Sequence, residues 1–217
     1  MQRFIDDLIQ ALAGDKGGLQ SQLLMAPEFR KEELQQRPEG FRARESAVLL
    51  LLNPFSKELS LIFTKRSSML KVHRGQVSFP GGQRDKKDKN LLNTALREAY
   101  EEIGINKEDI EILGNLSELF IPPSNFDVHC VVGILQKKPQ YKINPNEVEE
   151  VVEVPLSMLL DPKNIKRKTF TSSSSDKHRP APYFDVMGLE IWGATAMIVS
   201  ELLELIRALK SKVPYSE

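Results

Sequence analysis

A Gly-rich loop that runs into a helix carrying three carboxylates on one stripe constrains this 217-residue chain more than any other feature. The segment passes from Gly81-Gly82-Gln83-Arg84-Asp85 to Ala95-Leu96-Arg97-Glu98-Ala99-Tyr100-Glu101-Glu102-Ile103-Gly104-Ile105. Glu98, Glu101 and Glu102 stand at i, i+3 and i+4, so at about 100° per residue they share one helix face. Leu92, Leu96, Ala99 and Ile103 share a different one. Like charges crowded on a stripe repel each other, and a cation between them is the simplest way to remove that penalty. The outline is that of a metal-bound diphosphate site.

The second half of this stretch resembles the Nudix box, whose pattern ends Arg-Glu-U-x-Glu-Glu-x-Gly-U with U aliphatic: here Arg97-Glu98-Ala99-Tyr100-Glu101-Glu102-Ile103-Gly104-Ile105. The first half departs from it. Gly82 lies one residue further from Arg97 than the general pattern allows, no Glu falls between them, and Asp85 and Asp88 are the nearest acids. Read with the upstream run Ile62-Phe63-Thr64-Lys65-Arg66-Ser67 through Gly75-Gln76-Val77-Ser78-Phe79-Pro80-Gly81-Gly82, the chain looks like the coenzyme A pyrophosphatase branch of the Nudix hydrolases. That branch carries a longer box with Asp in place of the first Glu. Phe63 and Lys71 differ from its pattern, and at position 71 a lysine supplies charge without the planar fork of an arginine. Val154-Pro155-Leu156 and Ile191-Trp192-Gly193-Ala194-Thr195-Ala196 extend the resemblance over roughly residues 45 to 210. The plain alternative, a solvated acidic helix face paired with Arg97, is weakened by so long a two-part match.

Chain length suits one well-buried core, and a single compact domain is expected, with residues 1–44 an N-terminal helix and lead-in and 45–217 the Nudix-like unit. Lys plus Arg number 30 and so do Asp plus Glu, so there is no net field to draw the chain to nucleic acid or an anionic membrane. The single Cys130 cannot form an intrachain disulfide, and its apolar surroundings suggest a buried thiol. No apolar run reaches the roughly 20 residues that span a bilayer, and a cytoplasmic protein is expected.

Phe4, Ile5, Leu8, Ile9 and Leu12 recur at helical spacing before Gly14. Strands are expected at Ser46–Leu52, Leu59–Thr64, Ile110–Phe120, Val128–Leu135 and Val148–Val154, and a hairpin of Tyr183–Met187 with Leu189–Trp192. Thr195–Leu209 reads as a closing amphipathic helix. Strands mixed with flanking helices give an α+β class, which the resemblance sharpens to an α/β/α sandwich with a mixed central sheet and a catalytic loop-helix.

A diphosphate repels its attacking water and leaves poorly, and divalent cations relieve both problems. Hard Mg²⁺ or Mn²⁺ prefers oxygen ligands, which Glu98, Glu101 and Glu102 supply. Glu98 and Glu102 are the leading direct ligands; Glu101 is a third or an outer one, and the resemblance adds the backbone carbonyl of Gly82. Candidates for the base are the helix glutamates or Glu147, Glu149 and Glu150. Arg97 is assigned by the resemblance an orienting salt bridge to a neighbouring carboxylate. Gly81 and Gly82 are expected to allow positive φ and close approach to ligand, and Gly104 to stop the helix.

Lys65, Arg66, Lys71, His73 and Arg74 concentrate charge before the loop, suited to the extra 3′-phosphate of coenzyme A. Arg66 falls on the branch's signature arginine, and Arg66, Lys71, His73, Gly81 and Gly82 form the expected substrate-binding set. A basic segment at Lys166-Arg167-Lys168 and Lys177-His178-Arg179 reads as a surface loop, and Trp192 as packing at the sheet-to-helix junction.

The resemblance implies hydrolysis of coenzyme A or acyl-CoA to 3′,5′-ADP and 4′-phosphopantetheine, and makes a homodimer plausible. The alternatives are the same chemistry on ADP-ribose or another nucleotide, and a binding module that has lost turnover.

Overall fold

The computed structural model describes residues 1–35, 42–69, 74–169, 180–211 and 213–214. Three helices open the chain: α1 (Gln2–Ala13), α2 (Gly18–Leu23) and α3 (Lys31–Gln35). Strands β1 (Arg44–Asn53), β2 (Ser60–Arg66), β3 (Val77–Ser78) and β4 (Gly81–Gln83) lead into helix α4 (Leu91–Ile103). Then come β5 (Ile110–Asn115), β6 (Leu119–Ile121), β7 (Phe126–Leu135), β8 (Val148–Pro155) and α5 (Leu156–Leu160). A second, three-stranded sheet of β9 (Ile165–Thr169), β10 (Pro180–Val186) and β11 (Leu189–Trp192) precedes α6 (Gly193–Ala208).

β1 is the spine of an eight-stranded mixed sheet. It runs parallel to β7 from Arg44↔Phe126 to Leu52↔Ile134 and antiparallel to β2 at its far end. Its run Ala47-Val48-Leu49-Leu50-Leu51-Leu52 is nearly continuous in apolar residues because both faces of the sheet are covered. Alternate side chains point to opposite faces. Ala47, Leu49 and Leu51 join Ala95, Ala99 and Ile103 of α4 in one core; Leu50 and Leu52 join α1, α6 and the second sheet in the other. The layers are helix, sheet, helix: a mixed α+β sandwich.

Four expectations are revised. The stretch from Ile110 to Phe120 is two strands, β5 ending at Asn115 and β6 starting at Leu119, and within β5 the ladder with β7 slips between Ile112 and Gly114, where Gly114 has φ 151°. At the break, Ser117 N–H donates to the buried Glu201 carboxylate at 3.0 Å instead of to a strand. The supposed loop before α4 contains two short strands that occupy a wedge: β2 pairs with β1 only over Ser60–Ile62, then β3 continues along β2 and β4 along β1. The polar lead-in folds into α2 and α3. Finally, Gly81 and Gly82 are not among the residues with positive φ, so close packing accounts for both. A Cβ at Gly81 would lie 2.5 Å from the Ala47 carbonyl oxygen.

Candidate active site

Helix α4 starts at Asn90, whose side chain accepts the Asn93 N–H at 2.9 Å, and stops at Gly104 in the left-handed region, φ 74°. Between these caps Ala95, Ala99 and Ile103 bury one stripe against β1, which sets the rotation of the helix. That rotation sends Glu98 and Glu102 toward the edge of the sheet where β4 lies. Glu102 is almost wholly buried, at 3% side-chain exposure, and Glu98 at 13%.

The third carboxylate beside them is Glu147, from the turn before β8. Carboxylate oxygens of Glu98, Glu102 and Glu147 all lie within 4.8 Å of one another. Two backbone hydrogen bonds set that turn: Asn144 N–H donates to Glu102 O and Ser67 N–H to Glu147 O, each at 2.9 Å. Glu101 stands apart, half exposed and paired with Arg97 at 3.0 Å. Of the other acids in the strand entry, Glu149 pairs with Lys65 at 2.7 Å on the surface and Glu150 is exposed.

Arg97 is the hub of a separate ionic cluster. It donates to Asp88, to Glu98 at 2.7 Å, to Glu101 and to the Gln83 carbonyl at 3.2 Å, so it ties the helix to both β4 and the preceding loop. Asp88 also accepts from Thr94 Oγ1 and the Asp85 N–H, each at 2.9 Å. Arg97 above all, with these donors, holds the Asp88 carboxyl well below the usual carboxylate range.

Burial raises Glu98 and pushes Glu102 up to about 8, with Glu98 and Glu147 adding repulsion to Glu102 while Arg66 and the Gly81 N–H pull the other way. Glu102 Oε2 is buried with no hydrogen-bond partner among the described residues. An orphaned buried carboxylate oxygen is costly, and a cation is its natural complement. Gly82 lies directly over this cluster: a Cβ there would sit 2.5 Å from the Glu98 carboxyl carbon and Oε1. Hard oxygen donors, an orphaned oxygen and a cradle that any side chain would fill all fit a divalent cation at the cluster of Glu98, Glu102 and Glu147, with the Gly82 backbone adjoining.

Arg66 ends β2 with Nη1 4.0 Å from Glu102 Oε1, and its buried Nε has no partner among the described residues. Lys71 and His73 lie outside the described residues, as do Lys177, His178 and Arg179. Lys166 and Lys168 pair with Asp185 and Glu190 on the second sheet, and His129 sits 3.5 Å from Glu118, away from the cluster. Cys130 is free and buried. No helix among the described residues is long and apolar enough to cross a membrane.

The NUDIX domain family model matches residues 42–173. The uncharacterized Nudix hydrolase NudL of Photorhabdus laumondii is 38% identical over 164 residues, covering 76% of this chain and 86% of that protein. The peroxisomal coenzyme A diphosphatase NUDT7 of Mus musculus is 37% identical over 148 residues, covering 68% of this chain and 62% of that protein. Among solved structures, a Nudix hydrolase from M. smegmatis, RenU, has the same fold with a TM-score of 0.54 at 17% identity, covering 81% of this chain and 90% of that one. Sequence, fold and the carboxylate helix agree that the chain belongs to the Nudix hydrolase family.

Proposed function

We propose that this chain is a coenzyme A diphosphatase that hydrolyses CoA or acyl-CoA to 3′,5′-ADP and free or acylated 4′-phosphopantetheine. The observation that carries this reading is the placement of Arg66 Nη1 4.0 Å from Glu102 Oε1: a cation for the substrate's phosphate stands next to the carboxylates that take the metal. The resemblance of residues 62–82 to the CoA branch and the similarity to the mouse enzyme support the substrate.

Glu98 and Glu102 would hold Mg²⁺ or Mn²⁺, together with the Gly82 carbonyl, and Glu101 would serve from the outer side through Arg97. When bound, the divalent ion offsets the diphosphate charge and acidifies water. Arg97 holds Glu98 in place from one side while Asp88 holds Arg97 from the other. Glu147 accepts the proton of the attacking water: it is the cluster carboxylate delivered by a separate turn, and Asn144 Nδ2 donates to its Oε1 at 3.2 Å. Arg66 binds a phosphate oxygen, and the resemblance to the CoA branch adds Lys71 and His73 as further anion ligands. Water adds to one phosphorus, the bridging P–O bond breaks, and the leaving oxygen departs with the other phosphate.

The test is product analysis after incubating the purified protein with CoA, with and without Mg²⁺ or Mn²⁺, beside Glu102→Gln. Formation of 3′,5′-ADP only with metal and intact Glu102 supports the proposal. Cleavage of ADP-ribose or another nucleotide but not CoA overturns the substrate, and no cleavage of any diphosphate overturns turnover itself.

A further inference from the structure

The anion-binding arm that ends in Arg66 is tied down from an unexpected direction. Arg66 exchanges backbone hydrogen bonds with the returning chain: Arg66 N–H donates to Gln76 O at 2.9 Å and Gly75 N–H to Arg66 O at 3.0 Å. The next residue, Val77, pairs with Lys65 in the two-residue strand β3. So short a strand holds its place weakly through its own ladder. β3 lies in the wedge where β2 has parted from β1, and its pairing is with β2, so carbonyls on its other side are in need of donors.

One of those carbonyls has a side-chain donor. Thr195 Oγ1 donates to Val77 O at 3.1 Å across 118 positions of sequence. Thr195 is the third residue of α6, where a threonine hydroxyl has no helical role to fill, and the helix has no side-chain cap from Trp192. The body of α6 from Ala196 to Leu203 is buried throughout, so Thr195 is mounted on one of the most immobile parts of the molecule. Val77 is followed within four residues by Gly81, which packs on β1, and preceded at once by Gln76, the partner of Arg66.

We propose that Thr195 is a positioning residue for substrate binding: its hydroxyl fixes β3 to the C-terminal helix, and through the Gln76–Arg66 backbone pair it sets where the Arg66 guanidinium stands relative to Glu102. Glu98 and Glu102 are held by the helix and the Arg97 hub, and the Glu147 turn by Asn144 as well as by Ser67 beside Arg66, so Thr195 acts first on the anion side of the site. The inference rests on the proposal that Arg66 binds substrate phosphate.

The experiment compares Thr195→Val, which keeps the shape and removes the donor, with Thr195→Ser, which keeps the donor. Ser200→Ala is the control for stability alone, since it removes a hydrogen bond of the same kind from the same helix, Ser200 Oγ to Ser21 O at 2.8 Å, on the far side from the site. Steady-state kinetics are measured on whichever of CoA and ADP-ribose the wild type cleaves, so loss of the CoA assignment does not remove the test. The expected result for Thr195→Val is a rise in KM of about fivefold, with kcat and the half-activating Mg²⁺ concentration unchanged. Thr195→Ser should restore the wild-type KM, and Ser200→Ala should lower the melting temperature without moving KM. If the wild type binds these nucleotides without turnover, the dissociation constant is read in place of KM with the same expectation. A fall in kcat at constant KM, equal behaviour of the valine and serine variants, or the same KM shift in Ser200→Ala would overturn the inference.

Discussion

Asp88 grips Arg97 along the edge of its guanidinium, accepting from Nε at 3.0 and 3.3 Å and from Nη2 at 2.9 Å, while the other end of the same group reaches Glu98. The planar fork is used on both sides, which a lysine could not do. Asp88→Asn should therefore lower kcat/KM by about tenfold through a loosened Glu98, and cost about 2 kcal/mol of stability. The pH dependence follows from the depressed Asp88 pKa: its stabilisation is complete above the ordinary value of 3.8 and is lost as pH falls further toward the folded-state value. Urea unfolding of wild type and variant below pH 4 should show the shallower decline in Asp88→Asn.

Glu102 works in the opposite sense. Its carboxyl is pushed from 4.5 up to about 8 on folding, so the metal-free fold holds a proton that the unfolded chain releases. Stability should fall as pH rises from about 4.5 to about 8 and level off above that in the presence of chelator. Glu102→Gln should remove that decline and melt several degrees higher than wild type at pH 9, while losing at least about a hundredfold in turnover. Added Mg²⁺ should raise the melting temperature of the wild type and leave the variant unmoved.

Gly82→Ala places a methyl group 2.5 Å from the Glu98 carboxyl carbon. Either Glu98 swings away or β4 lifts from β1. The half-activating metal concentration should rise about tenfold, with the circular dichroism spectrum of the folded protein retained.

Glu147 and Glu149 lie two residues apart and face different surroundings. Glu147→Gln should reduce kcat by at least about a hundredfold at unchanged thermal stability. Glu149→Gln removes only the exposed pair with Lys65 and should stay within about twofold of wild type, since surface ion pairs contribute little. Equal losses in both variants would remove Glu147 from the role of base.

Much of the helix was legible in the chain because its information is local. The spacing of Glu98 and Glu102, the stop at Gly104 and the apolar stripe at Ala99 and Ile103 follow from 3.6-residue periodicity alone. Glu147 was visible only as one of three nearby acids. Its selection depends on the turn at Asn144 and on the register that sets Val148 opposite Arg66, a non-local fact. Asp88 was likewise one of two candidates until the fold brought Thr94 and Arg97 to it. β3 and β4 escape periodicity because two or three residues are too few to show alternation, and the register slip at Gly114 and the break after Asn115 are features of strand pairing, not of composition. Lys71 and His73, read as anion ligands, lie outside the described residues.

The small residues beneath the catalytic helix bear on how such a site can diversify. Ala95 and Ala99 are fully buried against the spine of the sheet, so they act as shims that set the clearance between α4 and β1. Thinner spacing is available only through glycine, and thicker spacing would lift Glu98 and Glu102 together away from Gly82. The clearance thus becomes a shared mechanical setting for all the charged groups above it, while the arm carrying Arg66 is hung from a different helix. A change in that setting would carry the charged groups of α4 together, whereas the strand beside Arg66 answers also to α6.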